Sequence, residues 1–221
     1  MTSLKHKPVP ADEISETKRK LLEAGASLMR KQGFNATTVD DICAEAGVTK
    51  GGFFHYFKSK EELAKGALVW FRQVKAQIFA EAPFRKLADP LDRVFGRIDF
   101  VAESTGTQTR LTRGCLIGMF AQELSFTHPD LRDACLDSIN IQAQDIAQDI
   151  AAAKALYAPK ADFDPKQVAM YYVTVIQGSL MLAKISESNT VLAENLKQLR
   201  HYVQGLFGQS PASRGKAASH N

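Results

Sequence analysis

Residues 38–57, TVDDICAEAGVTKGGFFHYF, set the tightest limit on what this chain can fold into. Val39, Ile42, Cys43 and Ala46 recur at three-and-four spacing, which predicts a short amphipathic helix. Thr38 is placed to cap it, and Asp40 and Asp41 favour its positive end. Thr49 caps a second helix on which Phe53 and Phe57, four apart, face inward. Only Ala46, Gly47 and Val48 separate the two helices, so the chain must cross sharply. Gly47 supplies the backbone freedom for that turn and Val48 fills the angle. Lys50, Gly51, Phe54 and His55 are left on the outer side. The pair Gly51-Gly52 costs roughly 1 kcal/mol per residue relative to alanine. Either it marks a loop, or a bare backbone is needed for close approach to a partner. The flanking aromatics keep helical phase, which favours close approach, as of a recognition helix seated in a major groove.

Around this hook the patterning is helical throughout. Leu21, Leu22, Gly25, Leu28 and Met29 share a face ahead of a stop at Gly33. Ser59-Lys60-Glu61-Glu62 reads as a capping box opening a longer helix through Leu63, Leu68, Trp70 and Phe71. Asp89-Pro90, His128-Pro129-Asp130 and Asp164-Pro165 are further helix starts. There is no alternation of period two, no Asn-Gly hairpin signal and no internal repeat, so the expected class is all-α. Residues 1–14, with two prolines and the cluster Lys5, His6, Lys7, read as a disordered arm or as a minor-groove contact. Residues 209–221 read as a disordered tail.

Composition narrows the function classes. Of 221 residues, 45% are hydrophobic and 24% charged, ordinary for a globular chain, and the net charge of +4 permits nucleic-acid binding without requiring it. Three widely spaced cysteines argue against a disulfide framework or zinc site and fit a reducing compartment. The chain shows no expected membrane span or signal peptide, so the expectation is a soluble, cytoplasmic protein with no membrane partner. It lacks a glycine-rich phosphate loop, Gly-x-Ser-x-Gly, a His-x-x-x-His pair and paired acids. His55, His128 and His201 fall in unrelated segments. No enzyme activity, cofactor or metal is expected.

Residues 16–66 resemble the DNA-binding domain of the TetR family of repressors. The match lies in Gly33-Phe34, Thr37-Thr38-Val39, Asp41-Ile42, Ala46 to Gly51, Phe53 to Phe57 and Lys58-Ser59-Lys60-Glu61. The resemblance implies a three-helix helix-turn-helix domain over 15–66 and a helical effector-binding and dimerisation domain over 67–208. It also implies a homodimer on a palindromic, double-stranded operator, released by a small-molecule effector. Thr38, Tyr56 and Lys60 are then expected at phosphates, and Thr49, Lys50, Gly51, Gly52, Phe54 and His55 at the groove. Phe54 departs from the tyrosine that many members carry. The alternative is a protein of this fold acting as an adaptor or activator.

In the body, residues 168–183 are apolar nearly all round and need cover on every side. With the stripe Leu192, Leu196, Leu199, Val203 and Phe207 they are expected to form the dimer interface, the alternative being the core of a monomeric bundle. Trp70, Phe100, Cys115, Met119, Gln122, Tyr172, Gln177 and Met181 are the expected effector-pocket residues. Gln122, Glu123 and Gln177 are polar positions in apolar helices that need partners, a ligand being one option. The start Arg113-Gly114-Cys115-Leu116, with Ala183-Lys184-Ile185-Ser186 downstream, resembles a subgroup responsive to electrophiles and acrylate-like compounds. Cys115 has two readings: a small buried hydrophobe, or a thiolate sensor activated by a helix N-terminus, Arg113 and Lys184. Cys43 and Cys135 read as packing.

Overall fold

A computed structural model describes residues 14–106 and 114–208. The expected arm before residue 14, the tail from 209 and Arg113 lie outside or at the edge of these residues. All regular structure among the described residues is helical: α1 (Glu16–Gln32), α2 (Val39–Ala46), α3 (Lys50–Tyr56), α4 (Lys60–Ala80), α5 (Pro90–Gly106), α6 (Leu116–Leu124), α7 (Pro129–Tyr157), α8 (Pro165–Ile185) and α9 (Thr190–Leu206), with a 3-10 turn at Pro83–Lys86. The starts follow local chemistry. Ser15 accepts the Lys18 amide, and Asp89 Oδ1 accepts the amides of Leu91 and Asp92. Asp164 accepts that of Lys166, with Pro165 in the first turn. Gly33, at φ +91°, closes α1 by donating to Met29 O.

The chain divides into two compact units, one made of residues up to Phe79 with Leu116–Cys135, the other of Ala80–Cys115 with the remainder. The first is built on α1 to α4 and α6. Leu21, Met29, Ile42, Phe53, Leu63 and Phe120 are completely buried in it, large apolar side chains whose removal from water contributes roughly 1.5–3 kcal/mol each. The helix α4 runs without a break through the 66–67 boundary expected from sequence.

The second unit packs α5, α7, α8 and α9. Here α8 is long and apolar enough to cross a membrane by length and composition, contrary to the expectation that no such run exists. Its Val168, Ala169, Tyr172, Val173, Leu180 and Ala183 are buried in the unit's core. Leu192, Leu196, Leu199, Val203 and Phe207 of the last helical segment are buried as well. That corrects their expected place at a dimer interface: the stripe is a seam within one chain. Charged residues brace the unit too. Arg85 and Arg97 both hold Asp145 at 2.5 Å, and Arg93 Nε holds Asp149 at 2.7 Å. Burial pushes the Asp145 carboxyl upward, but the Arg85 hydrogen bond and the Arg97 charge outweigh it and keep it below the usual range.

Candidate nucleic-acid interface

The hook forms as its residues require. Thr38 Oγ1 accepts the Asp41 amide at 3.1 Å, and Asp41 Oδ2 accepts the Thr38 amide at 2.9 Å, a reciprocal capping box at the start of α2. These bonds from the Thr38 backbone and hydroxyl hold the Asp41 carboxyl below its ordinary range. Gly47 adopts the left-handed conformation, φ +64° and ψ +36°, which ends α2 and turns the chain. Thr49 Oγ1 then accepts the Gly52 amide at 3.1 Å to open α3. Phe53 is completely buried and packs against Phe57, ring centroids 6.0 Å apart.

On the outer side Thr49, Lys50, Gly51, Phe54 and His55 are exposed, Phe54 by 55%. Lys50 Nζ meets Asp40 Oδ1 at 2.8 Å across the turn, and that bond and charge raise the Lys50 pKa. Both partners are solvated, so the pair can open readily for a phosphate or base edge. His55 stands edge-on to the half-buried Tyr56, centroids 4.7 Å apart.

The two glycines differ. A Cβ on Gly51 would meet only Thr49 Oγ1, at 3.9 Å, an ordinary contact that leaves room for it. A Cβ on Gly52 would lie 2.7 Å from Val48 Cγ1. Gly52 is bare because the turn's valine packs against it, which corrects its expected place on the groove side.

Lys60 is also corrected. Its Nζ donates to Phe34 O and Thr37 O, both at 2.8 Å, and lies 4.2 Å from the Phe34 ring centroid. The ammonium staples the loop between α1 and α2 and does not point outward at a phosphate. At the start of α4 the cap is shared: Ser59 Oγ accepts the Glu62 amide, and Glu62 accepts that of Lys58.

The expected pocket residues are divided between the two units. Trp70, Met119 and Gln122 belong to the first unit, whereas Phe100, Cys115, Tyr172, Gln177 and Met181 belong to the second. Gln122 is exposed and donates to Gly118 O at 3.2 Å, because its neighbours Phe120 and Leu124 take the inward phase of α6. Met181 is 42% exposed. Both corrections remove a supposed buried side chain. Glu123 has backbone partners in place of a ligand: its carboxylate accepts the amides of Phe34 and Asn35.

Within the second unit Gln177 Nε2 lies 3.5 Å from half-buried Cys115 Sγ. Gly114, at φ +107°, leaves room for the Lys184 side chain, whose Cδ would sit 3.4 Å from a Cβ there. Tyr172 is 1% exposed, and its hydroxyl has no hydrogen-bond partner. Burial pushes its pKa far above the usual value. Cys43 and Cys135 are buried, and burial, with Asp40 adding to it, raises the Cys43 thiol. Sequence patterning missed a groove of about 250 Å³ between α8 and α9, lined by Tyr171, Thr174, Gly178, Leu182, Asn195 and Gln198 among others. None of the eight expected pocket residues lines it.

A capped two-helix hook with a bare outer face, carried on an all-helical body, defines a helix-turn-helix transcriptional regulator. Residues 21–67 match the family of bacterial regulatory proteins called tetR, and residues 90–199 match the tetracyclin repressor-like C-terminal domain. The chain is 28% identical over 183 residues to the transcriptional regulator AcuR of Cereibacter sphaeroides, covering 81% of each protein. It is 25% identical over 176 residues to the repressor DhaR of a Mycobacterium species, covering 80% of this chain and 86% of that one. Among solved structures, a TetR regulator from Chloroflexus aurantiacus superposes with a TM-score of 0.76 at 27% identity, covering 86% of this chain and 94% of that one. The chain belongs to the TetR family of transcriptional regulators.

Proposed function

We propose that this protein is a cytoplasmic, ligand-controlled repressor that binds a palindromic operator as a homodimer. The observation that carries the reading is the outer face of α3, where Lys50, Phe54 and His55 are exposed beside a Gly51 whose missing Cβ would meet nothing nearer than Thr49 Oγ1 at 3.9 Å. Thr49, Lys50, Gly51, Phe54 and His55 read the groove, and Tyr56 with the α2 and α4 N-termini meets phosphates. Lys50, exposed on that face, favours DNA over a role as a protein adaptor.

Pairing uses the apolar stripe of α8 that the second unit leaves uncovered. Tyr171, Met181, Leu182 and Ile185 are exposed by 42–72%. Such a stripe suits a second copy of the same face. Tyr171 and Tyr202, rings 4.9 Å apart, extend it across α9.

The effector is a small hydrophobic or electrophilic molecule taken up by the body. The buried, unpaired Tyr172 hydroxyl supports this reading, since such a group costs about 1–3 kcal/mol until something satisfies it. Cys115, half-buried beside Gln177 and one residue from the Lys184 contact at Gly114, is the candidate electrophile-reactive thiol.

Binding to DNA upstream of its own gene is the direct test. Wild type should shift that DNA with steep salt dependence, and Lys50→Glu should abolish the shift while leaving the dimer intact. Normal binding by Lys50→Glu refutes the α3 assignment. Leu182→Glu should yield a folded monomer with little operator affinity. A thermal-shift screen of aldehydes, quinones and acrylates on wild type and Cys115→Ser tests the thiol, and identical responses from the two refute it.

A further inference from the structure

The loop between α1 and α2 is fastened through both polarities of its backbone. Glu123, on α6 and 89 residues away in sequence, accepts the Phe34 amide on Oε2 at 2.7 Å and the Asn35 amide on Oε1 at 2.8 Å. Gly33 makes the approach possible: a Cβ there would lie 2.8 Å from Oε2. The carbonyls of Phe34 and Thr37 are held by Lys60, and that of Gly33 by Thr37 Oγ1 at 2.6 Å. The next residue is Thr38, the cap of α2. The Phe34 ring stands edge-on to Phe120 of the same α6, centroids 6.4 Å apart.

From this geometry we infer that Glu123 is a positioning residue for DNA binding, a latch on α6 that sets the entry to the helix-turn-helix. The inference rests on the operator-binding reading above. Two short, charge-assisted bonds from one carboxylate fix both the position and the direction of the loop. Any displacement of α6 withdraws them together, so the loop that enters α2 keeps its Lys60 and Thr37 bonds but loses the hold on its amides. Cys115 immediately precedes α6 in the chain, which puts the candidate sensing thiol one residue from the helix that carries the latch. Aspartate is one methylene too short to reach both amides, and glutamine keeps a single acceptor facing two donors.

The test uses the full-length dimer, well below its melting temperature, with DNA upstream of its own gene. Glu123→Ala should bind about tenfold more weakly and Glu123→Gln about threefold, since only part of the strength of two or one such bonds is passed on to operator affinity. The slope of log affinity against log salt should stay unchanged, since Glu123 touches no phosphate. Hydrogen exchange at Phe34 and Asn35 should accelerate at least about tenfold in Glu123→Ala, while the Phe57 amide, bonded to Phe53 O, keeps its protection. Unchanged affinity in the folded variant, a slope lowered by about one, or unchanged exchange at Phe34 and Asn35 each overturns the latch. If Glu123→Ala does not fold, Glu123→Gln decides by the same readouts. Failure of wild type to bind that DNA refutes the operator reading instead, and exchange at Phe34 and Asn35 still judges the latch by itself.

Discussion

Alanine at Gly51 and at Gly52 should act in opposite directions on stability, although the two positions are adjacent in one helix. At Gly51 a methyl meets nothing nearer than 3.9 Å, so the change gains helix propensity, up to about 1 kcal/mol. In a chain of this size that raises Tm by about 2–4 °C. At Gly52 the same methyl would stand 2.7 Å from Val48 Cγ1, about 1 Å inside normal carbon contact. Valine is stiff at χ1 and cannot swing aside cheaply. Overpacking costs about 1–3 kcal/mol, which cancels the propensity gain or exceeds it and lowers Tm. Val48→Ala added to Gly52→Ala should restore most of the loss. In anisotropy titrations with operator DNA, Gly51→Ala should bind at least about fivefold more weakly despite its greater stability, because its methyl occupies the space needed for close approach. Equal operator affinity for Gly51→Ala and wild type would refute the close-approach account of α3. A stable Gly52→Ala that gains nothing from Val48→Ala would refute the packing account of the turn.

Two further outcomes follow from the charged contacts. Lys60→Met keeps the apolar stem and removes the staple to Phe34 O and Thr37 O. It should destabilise the first unit by about 2 kcal/mol in urea melts, with the salt slope of DNA binding unchanged; a slope lowered by about one would make Lys60 a phosphate ligand after all. Asp145 is held below its usual pKa by Arg85 and Arg97. Its stabilising contribution is therefore complete above the unfolded carboxylate range near pH 4 and is lost as pH falls through the lower folded value. Asp145→Asn should cost about 2 kcal/mol at pH 7, at the lower side of buried pairs because the carboxylate is partly solvated, and the difference from wild type should shrink in strong acid. Equal urea midpoints at pH 7 would show that the brace is idle.

The hook was legible because its determinants are local. Caps at Thr38 and Thr49, the turn at Gly47 and the inward pair Phe53 and Phe57 are each fixed by residues within a few positions. What failed was long-range or depended on rotation about a helix axis. The pattern that opens α4 says that Lys60 begins a helix, but not that a loop 23 residues earlier offers it two carbonyls. Gln122 was read as buried from its apolar surroundings, yet two residues along a helix is more than half a turn, and the neighbours that define the core leave it in water. Gly52 looked like a second groove-facing glycine because adjacency in sequence hides that one side of a turn faces the other. The stripe from Leu192 to Phe207 correctly announced burial, but periodicity carries no information about whether the covering surface is one's own chain or another.

That last distinction has a consequence for how such a regulator counts itself. Since the leucines of α9 are satisfied at home, they offer nothing to a second subunit, and on the proposed reading a twin would join through the bare flank of α8. If pairing precedes DNA binding in this way, promoter occupancy would rise with more than the first power of abundance, and a modest drop in copy number would empty the promoter steeply.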